Sequence, residues 1–137
     1  MPRFATPPKP WRGGVALRDA RTCYDHLAGR LGVALAEALA RDGHIILAPD
    51  HADVTSSGAR FFADRGITPR PVTRKLCRAC LDWSERRPHL AGALGGALAS
   101  HALAQGWVQR IPSARALIVT QAGRAGFARD FGVHPAA

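Results

Sequence analysis

Two stretches of this chain have almost the same sequence. Residues 26–36 read HLAGRLGVALA, and residues 89–99 read HLAGALGGALA, an offset of 63 residues. At an offset of 65 residues, the pattern Val-Thr-x-x-Gly-x-x-x-Phe-Ala occurs at residues 54–63 and again at 119–128. Self-similarity over most of a chain indicates that two halves share one fold. At 137 residues, the two copies are long enough to build one ordinary core together.

The repeat and the positions of proline divide the chain into five parts. We expect the first to be a flexible linker, because its proline, glycine and basic residues cannot build a core. The parts are residues 1–14, a Pro-rich basic linker; 15–67, the first half; 68–73, a connector; 74–133, the second half; and 134–137, a tail.

Composition limits the function. The net charge of +9 and the pI of about 11.2 favour an anionic partner such as nucleic acid. No apolar run approaches the ~20 residues that span a bilayer, so we expect no membrane association. Three cysteines and no visible signal peptide favour a reduced, cytoplasmic setting. Phosphate-binding glycine loops and hydrolase motifs are missing from the sequence, so we do not expect an enzyme.

Periodicity predicts a helix-rich α+β fold of two tandem winged-helix-like halves. Apolar residues four apart predict a helix from Leu17 to Asp42. Helices are also predicted over Arg74–Trp83 and His89–Ala104, with Leu76, Cys77, Cys80 and Leu81 on the inner face of the former. Each half then reads helix, helix, two-stranded ribbon, closing helix, which is the winged-helix order. The predicted ribbons are 44–47 with 52–55 and 107–110 with 116–120, and the closing helices follow Thr55 or Ser56 and Thr120.

Four motifs carry a family resemblance: RTCYDHLAG at residues 21–29, CLDWSERR at 80–87, HLAG at 89–92, and Thr-x-x-Gly at 120–123. With these motifs, the chain resembles the C-terminal region of ArsR-type (arsenical-resistance-repressor-like) bacterial transcriptional regulators, over roughly residues 17–133.

The resemblance implies the effector-sensing and dimerisation region of a regulator, working as a homodimer. Such regulators carry an N-terminal DNA-binding winged-helix domain, and we expect this sequence to be either a fragment or a stand-alone relative without that domain. Double-stranded DNA is therefore the expected partner, either directly through the second half or through a missing N-terminal domain. Two alternatives stay open: a protein-interaction module without a DNA role, and a metal or thiol sensor.

Four arginines are candidates for DNA contact. Arg70, Arg74 and Arg78 are four apart and, with Lys75 beside them, would form a basic patch on one helical face. A second pair would lie at the start of a recognition helix, where side chains reach phosphates or bases. A solvated outer face is the alternative for the patch. The candidates are Arg74, Arg78, Arg86 and Arg87.

Cysteine and histidine spacing offers candidate metal ligands. Cys23 and His26 are three positions apart, as are Cys77 and Cys80, and His89 is nine beyond Cys80. Residues i and i+3 share a helical face, so each pair could supply two ligands to zinc or another thiophilic metal. The alternative is structural, because a buried free cysteine behaves as a small hydrophobe and a histidine can bond a backbone carbonyl.

Four further residues are interpreted as structural or pocket-lining. Asp82 could cap a helix or pair with an arginine, and Trp83 could pack between the halves. Tyr24 and Trp107 are expected to be core or interface aromatics.

Overall fold

A computed structural model describes residues 18–23, 25–69, 76–82, 84–112 and 114–135. Several predicted features lie outside these residues. They are the linker 1–14, most of the connector, Tyr24, Arg70, Arg74, Lys75 and Trp83.

Both halves have the same order of elements: hairpin, helix, hairpin, helix. All four hairpins are antiparallel and two-stranded, which confirms the α+β class. The first half comprises β1 (Arg21–Cys23), β2 (His26–Ala28), α1 (Gly29–Arg41), β3 (Ile45–Leu47), β4 (Ala52–Val54) and α2 (Ser56–Asp64). The second half comprises β5 (Arg78–Leu81), β6 (Pro88–Ala91), α3 (Gly92–Ala104), β7 (Val108–Arg110), β8 (Leu117–Val119) and α4 (Gln121–Phe131).

The first hairpin of each half replaces predicted helix. Within the helix predicted from Leu17, residues 18 and 19 are helical, but the first hairpin follows them and α1 begins at Gly29. The helix predicted from His89 begins at Gly92. Both glycines have φ above +70°, a left-handed conformation that breaks a helix and joins strand to helix instead. Because the leucine spacing continues across this junction, both helices were predicted to extend too far toward the N-terminus.

The helix predicted over Arg74–Trp83 is also wrong in its described part, where Arg78–Leu81 is β5. Leu76 and Leu81 are 40% and 45% exposed instead of facing the interior, whereas Cys77 is buried. Among the described residues, each half thus places a hairpin, not a helix, directly before its central helix, α1 or α3.

The second hairpins and closing helices lie where the sequence placed them. Thr55 ends the first ribbon: its hydroxyl accepts from the Gly58 amide at 3.0 Å and donates to the Gly43 carbonyl at 2.7 Å. Thr120 does the same at the start of α4, accepting from Gly123 at 3.0 Å and donating to the Gly106 carbonyl at 2.6 Å. One threonine thus caps each closing helix and ties it to the preceding turn.

The central helices cross between the halves. Each of α1 and α3 packs against β2 and also against β6, and these two strands lie side by side. The close packing of the helices on these strands requires glycine. A Cβ at residue 32 would clash with the Leu27 carbonyl oxygen and lie 3.4 Å from the His89 Cβ. At Gly95 it would meet the Leu90 carbonyl and lie 3.1 Å from the His26 Cβ. The central helix of each half therefore packs directly against the histidine of the other half.

An aromatic cluster joins the closing helices. Trp107, only 5% exposed, has its ring centroid 5.0 Å from Phe127 and 6.3 Å from Phe131. Phe131 in turn lies 5.5 Å from Phe61 of α2. Among the described residues, no helix has the length and apolar character needed to cross a bilayer.

The cap at Thr120 can be tested by its isosteric replacement. Thr120→Val keeps the shape of the side chain but removes both hydrogen bonds, so we expect the free energy of unfolding to fall by about 1 kcal/mol. Thr120→Ser keeps the hydroxyl and should lose much less. Urea denaturation followed by circular dichroism measures both variants, and equal losses would show that the hydroxyl does not cap α4.

Candidate functional site

Two cysteines and two histidines converge between the halves. In the first hairpin Cys23 is paired with His26, and in the second half Cys80 is paired with His89. Partners directly opposite on neighbouring strands point their side chains to the same face. One ligand atom from each of the four residues lies within 4.8 Å of all the others. The two histidines are buried, with ring centroids 4.9 Å apart, and the two cysteines are partly buried.

This arrangement changes the grouping inferred from sequence. The equivalent segments are RTCYD at residues 21–25 and RACLD at 78–82, an offset of 57, whereas the histidines are offset by 63. The segment between cysteine and histidine is six residues longer in the second half. The predicted Cys77–Cys80 pair on one helical face is wrong, because Cys80 lies on β5. Cys77 lies just before β5 and outside the cluster. Comparing these two pentapeptides would have revealed that Cys23 corresponds to Cys80.

Asp82 organises the site from its buried position beside the cluster. Its side chain is fully buried and accepts hydrogen bonds from both halves of the chain. Oδ1 accepts from Arg21 Nη2 at 3.2 Å, the Ser84 amide at 3.1 Å, Ser84 Oγ at 2.6 Å and the Glu85 amide at 3.2 Å. Oδ2 accepts from the Gly29 amide at 2.6 Å and pairs with His89 Nδ1 at 2.9 Å.

The charge of Asp82 is well compensated. Burial alone would raise the pKa of this carboxyl group, but hydrogen bonds from His89, Ser84 and the Gly29 amide, together with the Arg21 charge, outweigh it. They hold the pKa well below its usual value, so the carboxylate is ionised at neutral pH. It also stands at the N-terminus of α1, where a negative charge is favourable. Asp82 thus both pairs with an arginine and caps a helix.

The bond to Asp82 orients the ring of His89. With Nδ1 facing the carboxylate, Nε2 is the nitrogen left for another partner. His89 is 1% exposed, and no hydrogen-bonding group among the described residues reaches its Nε2. In the first half, Asp25 corresponds to Asp82, and its Oδ1 lies 3.6 Å from His26 Nδ1. The Asp82 carboxylate behind His89 is the arrangement that supports a metal-binding imidazole, whereas the Asp25–His26 separation is longer than a hydrogen bond.

The thiols are in different environments. Burial, followed by the neighbouring Cys23, raises the pKa of Cys80. Burial and the Asp53 charge raise the pKa of Cys77 to about 11. Neither thiol is activated as a nucleophile, because activation requires a lowered pKa.

The predicted DNA-contacting arginines occupy other settings. Arg86 and Arg87 lie in the loop between β5 and β6, so their placement at the start of a recognition helix is wrong. The Arg86 amide donates to the Asp82 carbonyl at 2.7 Å. Arg87 Nη1 lies 2.9 Å from the Glu37 carboxylate. Arg78 is exposed on β5, where it cannot form a helical face with its predicted neighbours.

One comparison finds a relative. The chain is similar to an uncharacterized HTH-type (helix–turn–helix) transcriptional regulator, YdfF, of Bacillus subtilis (strain 168). The two are 45% identical over 120 residues, which cover 85% of this chain and 53% of YdfF. The chain thus spans about half the length of the curated relative that it matches. No protein-family model and no solved structure matches this chain.

Removing the negative charge of Asp82 should destabilise the whole chain. Asp82→Asn replaces one carboxylate oxygen with an NH₂ group. This group would face either Arg21 and Ser84 or Gly29 and His89, which now donate to that oxygen. Because a buried charge then loses its partner, we expect the free energy of unfolding to fall by about 3–5 kcal/mol in urea denaturation.

The matched control is Asp50→Asn, whose carboxylate is 89% exposed and should matter by less than about 0.5 kcal/mol. Equal unfolding midpoints for the two variants would contradict the central role assigned to Asp82.

Cys77 should be chemically silent in the folded protein. A thiol with a pKa of about 11 is about one part in a thousand ionised at pH 8, against roughly a quarter for an ordinary cysteine. In the Cys23→Ser/Cys80→Ser double variant, we expect Ellman's reagent to label Cys77 at least ~100-fold more slowly in the folded state than in concentrated urea. Equal rates, with circular dichroism showing a folded chain, would refute this.

Proposed function

We propose that this chain is the effector-sensing and dimerisation region of a bacterial HTH-type transcriptional regulator of the ArsR-like kind, working in the cytoplasm as a homodimer. The observation that carries the proposal is the 45% identity to the HTH-type regulator YdfF over most of this chain. The four RTCYDHLAG, CLDWSERR, HLAG and Thr-x-x-Gly motifs support the ArsR-like assignment.

The local structure favours sensing over direct reading of DNA by these residues. Within the described ranges 25–69, 84–112 and 114–135, a β-hairpin separates each central helix from its closing helix, so no helix–turn–helix pair forms there. Arg87 is paired with Glu37, and Glu85 lies 3.8 Å from it as well. Its guanidinium group would have to leave these carboxylates before it could bind a phosphate. We therefore do not assign helix–turn–helix reading of DNA to the described residues.

The junction between halves supports an effector site. Four side chains with metal- and proton-binding chemistry meet there, two from each half. A ligand that contacts both halves can favour one relative arrangement of them, which is the requirement for transmitting a signal. A protein-interaction module that binds no ligand would give no reason for these four side chains to lie together.

Direct DNA contact through the second half remains the second candidate, because Arg78 is exposed on β5 and the chain has a net charge of +9. Phosphate contacts from an exposed strand would give binding that weakens steeply with salt.

DNA binding by the 137-residue chain, titrated over salt, distinguishes these candidates. We expect weak binding that differs by less than about tenfold between the upstream region of its own gene and unrelated DNA. Arg86→Ala/Arg87→Ala should leave the salt slope unchanged, whereas Arg78→Ala should lower it slightly. A preference for the upstream region of about a thousandfold would overturn the sensing assignment in favour of direct DNA reading. Sedimentation equilibrium of the same sample tests the homodimer.

A further inference from the structure

We propose that Cys23, His26, Cys80 and His89 together bind one thiophilic divalent metal ion, such as Zn²⁺, between the two halves of the chain. The site itself stands on the geometry of the four side chains. Its use as the effector site of a regulator rests on the proposed function above.

The spacing of the ligand atoms suits a four-coordinate site. Zinc–sulfur and zinc–imidazole bonds of roughly 2.3 and 2.0–2.1 Å place tetrahedral ligand atoms about 3.3–3.8 Å apart. Here all four atoms lie within 4.8 Å of one another. Closing this gap requires movements of about 1 Å or less at the side chains. Two cysteines and two histidines form a common donor set of closed, four-ligand zinc sites.

The charges of the set suit a buried cation. Two thiolates balance the charge of a divalent ion, and the two imidazoles bind in their neutral form. The nearby Asp82 is already compensated by Arg21, so its charge does not have to be balanced by the metal. A neutral assembly can lie between two packed halves without the cost of an isolated buried charge.

His89 provides a second, independent indication. Its Nε2 is buried, and no hydrogen-bonding group among the described residues satisfies it, although a buried polar atom usually has a partner. Its Nδ1 is held by Asp82 at 2.9 Å, the carboxylate–histidine support that metal-binding imidazoles commonly have. A metal ion at the cluster would satisfy the remaining nitrogen.

A disulfide between Cys23 and Cys80 is the competing use of this site. It would employ the two thiols but leave both imidazoles without a role. The pairing of each cysteine with a histidine in register, once in each half, is explained by shared coordination and not by oxidation. The metal is therefore the occupant that accounts for all four residues.

Binding would tie the halves together. The first hairpin supplies Cys23 and His26, while the β5–β6 hairpin supplies Cys80 and His89. A ligand that binds only the folded arrangement stabilises it by mass action. We therefore expect the thermal unfolding temperature to rise with Zn²⁺ concentration.

The test is a metal titration of the 137-residue chain, reduced and stripped with a chelator. Zn²⁺ is added in competition with a chromophoric chelator, and Co²⁺ is used separately because thiolate-bound tetrahedral Co²⁺ absorbs visible light. We expect one ion per chain. Cys23→Ser and Cys80→Ser should each weaken binding by more than about 100-fold, because loss of a ligand exceeds the 10–100-fold typical of a lost supporting contact.

Cys77→Ser is the matched control, since this third cysteine lies outside the cluster and should bind as the parent does. Circular dichroism confirms that each variant is folded. No stoichiometric ion, an equal loss in Cys77→Ser, or unchanged affinity in His89→Gln would overturn the site. His89→Gln is the decisive variant against a purely thiol-based site.

The regulatory role is measured separately, by operator binding of a regulator containing this chain, with and without Zn²⁺. A change in operator affinity that disappears in Cys80→Ser supports the effector role. Stoichiometric metal binding without any change in operator affinity would overturn that role while leaving the site intact. Absence of metal binding alongside normal operator recognition would overturn the site but leave the proposed function.

Discussion

The Asp82 carboxylate is the interaction on which the two halves depend. It is fully buried, and its acceptor capacity is filled by donors from both halves, including the first amide of α1 and the guanidinium group of Arg21. Burying a charge is unfavourable unless it is paired and hydrogen-bonded, so only one relative placement of the halves satisfies it. The hydrophobic contacts around Leu27, Leu31 and Leu94 supply most of the driving force for association, but they are less selective about orientation.

The position of His89 follows from the same carboxylate. Its ring is held by Asp82 at Nδ1, and α1 approaches its Cβ closely because residue 32 is glycine. Its strand neighbour Leu90 faces the opposite way and joins the core between the helices. A rigid surrounding of this kind sets the direction of a side chain before any ligand is present, and this preorganisation increases affinity.

Sequence reasoning was most successful where the signal was local. The second hairpins, the closing helices and their threonine caps all follow from turn residues, strand length and the Val-Thr-x-x-Gly pattern. The first hairpins were missed because the leucine spacing of each following helix runs back into the second strand of the hairpin, through Leu27 and Leu90. The leucine stripe of α1 therefore appeared to extend through Leu27, although Gly29 lies between strand and helix with a positive φ. A glycine inside a helical pattern does not by itself reveal this, because glycine is also tolerated within helices.

The candidate site was predicted only in part, because its two halves are far apart along the chain. Residue type and spacing brought Cys23, His26, Cys80 and His89 to attention, but helical spacing attached Cys77 to them. Cys23 and Cys80 are far apart in sequence, and their proximity comes from the packing of β2 against β6. Arg21 and Ser84 were quoted only as parts of the family motifs, and their contacts with Asp82 were not predicted. A buried arginine paired with a buried aspartate has no local sequence signature, because both residue types are usually on the surface.

The crossing of α1 and α3 has a consequence for the symmetry of the molecule. Each half covers the hairpin of the other, as two subunits do in a twofold dimer with a self-complementary interface, but here both belong to one polypeptide. Identical subunits must carry identical loops, whereas linked halves are free to differ. The loop after Cys80 is longer than the one after Cys23, and Asp82 is buried while its counterpart Asp25 is 54% exposed. Covalent linkage thus permits a site with two chemically distinct sides, which can receive an asymmetric binding partner in a single orientation.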